Sequence, residues 1–224
     1  MRFAAGTPPP PAPSPAEELL ARYPVLRPPV STAAAAVTIV LRDGSAGPET
    51  LLIERAANPD DPASGDVALP GGHVDEGDGS LATTALRELR EEVGLGPADL
   101  SGPLRFVGAS LARRFGLHVG VFAVGLSTTS APPTIGSPEE VAHVFWLPHG
   151  VLVDSRLLTR DTDRGPVRVV ASVHEGHVVW GFTRRVLRDF FGLPAEDPTQ
   201  GPAFSDRRSD PDGSSPSGPT EDRR

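Results

Sequence analysis

The sequence predicts a mixed α/β domain over residues 16–194. Segments with strand-like patterns outnumber those with helical ones, and the strongest helical pattern lies in mid-chain with strands on both sides. Such an order is typical of a sheet with helices packed on its faces. Both ends lack this alternation, and a chain of 224 residues is long enough for one domain with a sizeable core.

The two ends are expected to be disordered. Residues 1–15 form a proline-rich segment, which favours polyproline-like or irregular structure. Residues 195–224 consist mainly of Ser, Gly, Pro, Asp and Arg, with too few apolar side chains to offset the entropy of ordering them. We therefore expect one folded unit between two disordered ends.

Strands and helices alternate along the predicted unit. Apolar and β-branched runs bounded by Gly, Pro, Asn and Asp predict strands, and a turn over residues 174–177 joins the last two into a hairpin. Short helices are predicted at the two ends of the unit, over residues 16–23 and 183–191. The predicted strands are residues 33–41, 50–55, 67–69, 104–111, 117–126, 141–147, 167–173 and 178–182.

The strongest element is a helix predicted over residues 80–93. Asp78 or Ser80 is expected to cap its start, and Gly94 lies where a left-handed residue ends many helices. Apolar side chains at intervals of four residues mark the face that packs on the sheet, namely Leu81, Ala85, Leu89 and Val93.

The composition limits the classes of function. A formal net charge of −8 makes the chain a poor candidate for binding nucleic acid through its phosphates. The absence of cysteine excludes disulfides and thiolate chemistry and suits a reducing cytoplasm. No apolar run reaches the roughly 18 residues of a membrane span, and no secretion signal is recognised. We expect a cytoplasmic protein that binds neither membrane nor nucleic acid.

Three glutamates crowd one side of the central helix. At ~100° per residue, Glu88, Glu91 and Glu92 lie within an arc of about 100°. Like charges at this spacing repel each other, so such a face is either fully solvated or neutralised by a cation. A hard divalent cation prefers oxygen ligands, and the glycines just upstream, including Gly72, allow the backbone to approach a ligand. Arg87 is placed to orient a neighbouring carboxylate.

The segment GGHVDEGDGSLATTALRELREEVGL, residues 71–95, resembles the signature of the Nudix hydrolases. That signature runs Gly, five residues, Glu, seven residues, then Arg-Glu-apolar-any-Glu-Glu-any-Gly-apolar. Gly72 fits its start, and residues 87–95 fit its second half without a gap. Asp78 stands in place of the first Glu, and eight residues rather than seven separate it from Arg87. One branch of the family, the coenzyme A pyrophosphatases, shares both departures.

Other segments resemble the same branch, so the resemblance extends over most of residues 33–190. They are LLIERA, GDVALPGG, EEVAHVFWLP and EGHVVWGFTRRVL. The branch usually carries an arginine in the loop after its LLIERA-like strand. The corresponding residues 57–66 contain no Lys or Arg and include Asp60 and Asp61, which leaves specificity for coenzyme A open.

The resemblance implies a Nudix-type α/β/α sandwich, with a mixed sheet and the signature loop-helix-loop. It also implies an enzyme, a pyrophosphatase that hydrolyses the phosphoanhydride bond of a nucleoside diphosphate derivative with Mg²⁺ or Mn²⁺. Metal ions neutralise diphosphate oxygens and acidify bound water, so the acidic net charge presents no obstacle.

The resemblance also assigns roles within the signature. Glu88, Glu91 and Glu92 would be catalytic metal ligands, with the carbonyl of Gly72 as a fourth, and Arg87 would hold Glu88 in place. Asp78 would support the site rather than bind metal. The general base stays open between Glu88 and Glu139, because a base must lie within reach of the attacking water.

The substrate would be a small nucleotide-derived molecule. Coenzyme A or an acyl-CoA would give 3′,5′-ADP and 4′-phosphopantetheine or its acyl form; ADP-ribose or another nucleoside diphosphate derivative is the alternative. An alternative of another class is a non-catalytic nucleotide-binding module, although such domains usually lose signature acids. Arg55, Arg113 and Arg114 are weaker candidates for binding substrate phosphate. An exposed turn with two arginines, as at residues 113–114, more often serves solubility, and Arg55 could instead pair with an acid. A homodimer is compatible with the sequence.

Overall fold

The structure, a computed structural model, describes residues 12–25, 33–162, 165–194 and 196. Of the ends predicted to be disordered, residues 1–15 and 195–224, residues 1–11, 195 and 197–224 lie outside these ranges, whereas Ser14 caps the first helix and Pro15 begins it. The helices are α1 (Pro15–Ala21), α2 (Leu81–Val93) and α3 (Gly181–Phe190). The strands are β1 (Ala35–Gly44), β2 (Gly47–Arg55), β3 (Val67–Ala68), β4 (Gly71–His73), β5 (Arg105–Ala112), β6 (Leu117–Gly125), β7 (Val141–Pro148), β8 (Arg156–Thr162), β9 (Gly165–His174) and β10 (His177–Trp180).

A mixed sheet of seven strands forms the centre of the domain. Five strands follow in the order β3-β2-β1-β6-β5, while β4 pairs with β1 and β7 pairs with β2. The pairing of β1 with β6 is parallel, and the other pairings are antiparallel. Because β2 takes only the last part of β1, the first part is free to pair with β4, which carries the double glycine.

Helices cover both faces of this sheet, which confirms the predicted sandwich. On one face, Leu89 and Val93 of α2 pack with Leu51 of β2 in one buried cluster. On the other face, Leu20 of α1 and Phe190 of α3 belong to a second cluster. In the described parts of the chain, no helix combines the length and apolar character needed to cross a bilayer.

The central helix α2 has the predicted ends and the predicted buried face. The Ser80 side chain accepts a hydrogen bond from the amide of Thr83 and so caps the start. Gly94 ends the helix with φ of 71°, a left-handed conformation that favours glycine. All four residues of the predicted stripe, from Leu81 to Val93, are buried.

The second sheet differs from the prediction. It has three strands in the order β10-β9-β8, whereas the sequence predicted only a two-stranded hairpin. The missing strand, β8, carries charged residues at three of its seven positions, and most of its residues stay exposed or half-exposed, so its pattern lacks the apolar alternation of a buried strand. The predicted turn is present, with positive φ at Glu175 and Gly176. The predicted last strand ends early, because α3 starts at Gly181.

Two arginines of α3 bind the segment that follows the helix. Arg184 is buried, and its Nη2 donates to Glu196 Oε1 at 2.7 Å and to Ser155 Oγ at 2.7 Å. Arg188, also buried, donates through Nη2 to the carbonyl of Pro194 at 2.7 Å. Glu196, which we assigned from sequence to the C-terminal tail, therefore contacts the domain.

We predict that Glu196→Ala destabilises the protein. The variant leaves the buried guanidinium of Arg184 without its charged partner, an effect that costs about 3–5 kcal/mol for fully buried pairs. Because the Glu196 side chain is 26% exposed, we expect roughly 1–3 kcal/mol in the free energy of unfolding, measured in urea.

The same pair predicts a pH dependence. Hydrogen bonding by Arg184 lowers the pKa of Glu196 from 4.5 to about 2. The pair therefore contributes stability above the unfolded pKa, and this contribution is lost as pH falls from about 4.5 to 2. Exposed Glu139, replaced by Ala, is the matched control. Equal unfolding free energies for both variants at neutral pH would contradict the contribution of the pair.

Candidate active site

Two of the three signature glutamates are buried. Glu88 is 8% exposed and Glu92 only 1% exposed, whereas half of the Glu91 side chain remains in solvent. Glu88 and Glu92 are four residues apart and border the apolar stripe of α2, so the packing of this helix on the sheet also carries them inward. The arrangement is not the fully solvated acidic face that was one reading of the sequence.

The double glycine brings backbone against both buried carboxylates. The amide of Gly71 donates to Glu92 Oε2 at 2.8 Å. Gly71 has φ of 149°, and a side chain there would overlap the carbonyl oxygen of Ala36 on β1. A Cβ on Gly72 would overlap the carboxylate of Glu88. Gly71 therefore requires glycine, because backbone atoms block a side chain there, whereas a side chain at Gly72 would displace the Glu88 carboxylate.

Arg87 binds four groups at the centre of the site. Its Nη1 lies 2.9 Å from both Glu88 Oε1 and Glu91 Oε2, and bridges them. Its Nη2 donates to the His73 carbonyl at 2.9 Å and to Asp78 Oδ2 at 3.0 Å. This arginine thus ties α2 both to β4 and to the loop that precedes the helix. Asp78, which the resemblance assigns a supporting role, accepts hydrogen bonds from two nitrogens of Arg87.

The charges of these groups follow their surroundings. Burial raises the pKa of Glu92 from 4.5 to about 8, although the Gly71 amide opposes the change. Burial also raises the pKa of Glu88 above its usual value. Hydrogen bonding from Arg87 instead lowers the pKa of Asp78 to about 2. The site thus combines one firmly ionised acid with two buried acids that resist ionisation.

The donor set fits a hard divalent cation. All its side-chain donors are carboxylate oxygens, and burial raises the pKa of Glu88 and Glu92, an effect that a bound cation would oppose. Within the described residues, no three acidic or histidine side chains converge closely enough to hold a metal ion as they stand. Arg87 occupies the position between Glu88 and Glu91, so a cation would have to share these carboxylates with it.

The charges of Glu140 and Arg55, on neighbouring elements, also act on the buried glutamates. The charge of Glu140 raises the pKa of both Glu88 and Glu92, and that of Arg55 lowers the pKa of Glu92. The two residues are near each other because Arg55 on β2 pairs with Val141 on β7. The sequence indicates Glu139 as the alternative base but not its neighbour Glu140, although both lie in one loop.

The three arginines that the sequence suggests for binding substrate phosphate, Arg55, Arg113 and Arg114, contact different parts of the protein. Arg55 Nε donates to Asp61 Oδ2 at 2.8 Å. Arg114 Nη1 donates to Asp66 Oδ2 at 3.0 Å and so braces the loop of residues 57–66. Arg113 lies near α3, where burial and then the charge of Arg113 lower the pKa of Arg185. The charge of Arg55 also acts on the signature glutamate Glu92, whose pKa it lowers.

The chain is similar to known proteins over most of its described length. A family model, described as NUDIX domain, matches residues 32–170. The uncharacterized Nudix hydrolase NudL of Yersinia pestis (strain Pestoides F) is 39% identical over 142 residues, which is 62% of this chain and 69% of that protein.

Solved structures resemble the chain more distantly. A NUDIX hydrolase from Alicyclobacillus acidocaldarius is 18% identical with a TM-score of 0.47, over 79% of this chain and 99% of its own. The NUDIX domain of Shewanella oneidensis NrtR, crystallised with ADP ribose, is 24% identical with a TM-score of 0.41, over 61% of this chain and 84% of its own.

We predict that Glu92→Gln stabilises the metal-free protein at high pH. Below pH 4.5 the Glu92 carboxyl is protonated in both states and carries no penalty. As pH rises towards 8, the unfolded chain releases this proton while the folded chain keeps it, so the parent loses stability. A neutral glutamine avoids this loss, which is on the order of a few kcal/mol.

The measurement is urea unfolding in chelator at pH 5 and pH 8. The gain of Glu92→Gln over the parent should be small at pH 5 and large at pH 8. Glu91→Gln is the matched control, since its side chain is 50% exposed, and it should show little of this gain. A gain that does not change with pH would contradict the buried carboxyl.

Proposed function

This chain belongs to the Nudix hydrolase family, and we propose that it uses Glu88, Glu91 and Glu92 to hold Mg²⁺ or Mn²⁺ for hydrolysis of a nucleoside diphosphate derivative. One observation carries the proposal. Glu88 and Glu92 of α2 are buried carboxylates with raised pKa values, and both lie against the backbone of the double glycine on β4. Buried carboxyl groups without sufficient compensating charge destabilise a fold, and they cluster at functional sites.

The residues around the proposed metal site have different roles. A bound divalent cation would neutralise diphosphate oxygens and acidify a water molecule. Arg87 orients Glu88 and Glu91 through one nitrogen, and Asp78 fixes the guanidinium from the other side. The carbonyl of Gly72 remains a proposed further ligand, because the glycine lies against Glu88. These contacts preorganise the carboxylates and so reduce the cost of bringing them together.

The proposed general base, which accepts the proton of the attacking water, is Glu88 or one of the acids near it. Glu88 has a raised pKa, which brings a carboxylate closer to the neutral range in which general bases work best. Glu140 is within electrostatic reach of Glu88, and Glu139 adjoins it in the same loop. The single exchanges Glu88→Gln, Glu139→Gln and Glu140→Gln separate these assignments by their effect on the pH profile of turnover.

Coenzyme A or an acyl-CoA is the proposed substrate. The eight-residue spacing between Asp78 and Arg87 and the segments beyond the signature support this branch. The loop of residues 57–66 carries no base of its own, but Arg55 and Arg114 reach into it and bind Asp61 and Asp66. A substrate phosphate there would compete with these acids for two arginines, which are well suited to phosphate.

Other nucleoside diphosphate derivatives form the alternative. The relative from Shewanella oneidensis was crystallised with ADP ribose, and the three acids of the loop, Asp60, Asp61 and Asp66, oppose the additional 3′-phosphate of coenzyme A electrostatically. The preserved spacing favours coenzyme A. One hydrolase domain, a homodimer and a cytoplasmic location are also part of the proposal.

The deciding experiment is a substrate panel with identified products. We predict that the protein cleaves coenzyme A and acetyl-CoA with Mg²⁺ or Mn²⁺, that EDTA abolishes turnover, and that products are 3′,5′-ADP and the 4′-phosphopantetheine compound. Glu92→Gln should lower turnover by more than about 100-fold, since even groups that only orient metal ligands contribute about 10–100-fold.

Leu51 belongs to the apolar cluster that packs against α2 and provides no such charge, so Leu51→Met is the matched control and should keep most of the turnover. Full turnover in EDTA would contradict the metal-dependent reaction. Cleavage of ADP-ribose with intact coenzyme A would assign the chain to the alternative substrate class.

A further inference from the structure

The backbone carbonyls at the end of α2 are all bound by groups outside the helix. A helix leaves its last four carbonyls without partners of its own. In α2 the amide of Gly94 binds the carbonyl of Arg90 at 3.2 Å. The three carbonyls that remain are bound by a single loop segment, residues 134–137, which we name the strap.

The strap contacts the helix residue by residue. Each of its three bonds ends on the carbonyl of a different residue in the last turn of α2. The bonds join Ser137 Oγ to the Glu91 carbonyl at 3.1 Å, the Gly136 amide to the Glu92 carbonyl at 2.9 Å, and the Thr134 amide to the Val93 carbonyl at 3.1 Å. Two of the three carbonyls thus belong to signature glutamates.

A glycine makes this approach possible. A Cβ on Gly136 would overlap the carbonyl oxygen of Glu91 and lie 3.0 Å from its carbonyl carbon. Both are backbone atoms, which cannot turn away as a flexible side chain could. The close contact therefore depends on the missing side chain at this position.

The strap is followed closely by Glu140, the acid whose charge acts on Glu88 and Glu92. The carbonyl of Ser137 accepts bonds from the amides of Glu140 and Val141 at 3.0 and 2.9 Å, and the carbonyl of Glu140 accepts one from Ala56 at 2.8 Å. One short segment thus connects the end of α2 to β2 and β7. An open cavity of about 620 Å³ lies beside it, lined among others by Arg87, Glu91 and Ser137.

We propose that the strap is a positioning element, in which Gly136 and Ser137 fix the last turn of α2 so that Glu91 and Glu92 are set for cation binding. The proposal rests on the proposed function of these glutamates. Side chains project from a backbone that the strap holds at three consecutive carbonyls, so loosening it spreads the carboxylates and lowers their joint affinity for a cation.

The first test is the affinity for Mn²⁺ without substrate, measured from the electron paramagnetic resonance signal of free Mn²⁺. Ser137→Ala should weaken binding about threefold to tenfold, the equivalent of one hydrogen bond. Ser137→Thr keeps a hydroxyl and should restore the affinity. Ser172→Ala removes a buried hydroxyl that binds Arg184 and the Asp154 carbonyl, far from α2, and should leave Mn²⁺ binding unchanged.

Gly136→Ala provides a second test with its own control. It should weaken Mn²⁺ binding by more than tenfold, because it pushes the strap off the helix. Gly102→Ala adds the same methyl group where no atom lies within 4 Å and should bind as the parent does. If Gly136→Ala does not fold, the Ser137 series decides alone.

The outcomes separate this inference from the proposed function. If Glu92→Gln binds Mn²⁺ as tightly as the parent, the metal site and the positioning role are both wrong. If Glu92→Gln loses affinity while Ser137→Ala keeps it, only the positioning role is wrong. An equal loss in Ser137→Ala and Ser172→Ala would likewise overturn positioning, since it would reflect stability alone.

Discussion

The burial of two carboxylates on one helix is the constraint on which the site depends. Glu88 and Glu92 leave solvent with the apolar face of α2, and burial raises both pKa values. Burying a carboxylate is costly unless neighbouring groups compensate for its charge. Here Arg87 serves Glu88 and the Gly71 amide serves Glu92, and neither suffices to return the pKa to its usual value.

The surrounding architecture supplies these partners from several elements. Partial pairing of β1 with β2 leaves room for β4, which delivers the double glycine to the carboxylates. Asp78 and the His73 carbonyl hold Arg87 from the loop and from β4. The pairing of β2 with β7 brings Arg55 and Glu140 to the same side. The groups around the carboxylates of α2 thus come partly from nearby sequence and partly from the pairing of distant strands.

Local patterns predicted α2 well, because its caps and apolar stripe are encoded within about fifteen residues. They also predicted the crowding of the glutamates. They did not predict β8, whose charged residues hide the strand pattern, nor the contact of Glu196 with Arg184, which joins distant parts of the chain. Glu140 and the strap were missed for the same reason, since their roles arise from sheet register and from helix carbonyls rather than from a sequence motif.

Proton release on metal binding tests the central claim most directly. If a cation binds Glu92, it must displace the proton that the raised pKa retains. Calorimetric titration of Mg²⁺ at pH 6.5, in buffers of different ionisation enthalpy, should show release of about one proton by the parent and almost none by Glu92→Gln. Mg²⁺ binding with no proton released by the parent would contradict a metal site built on this buried carboxyl.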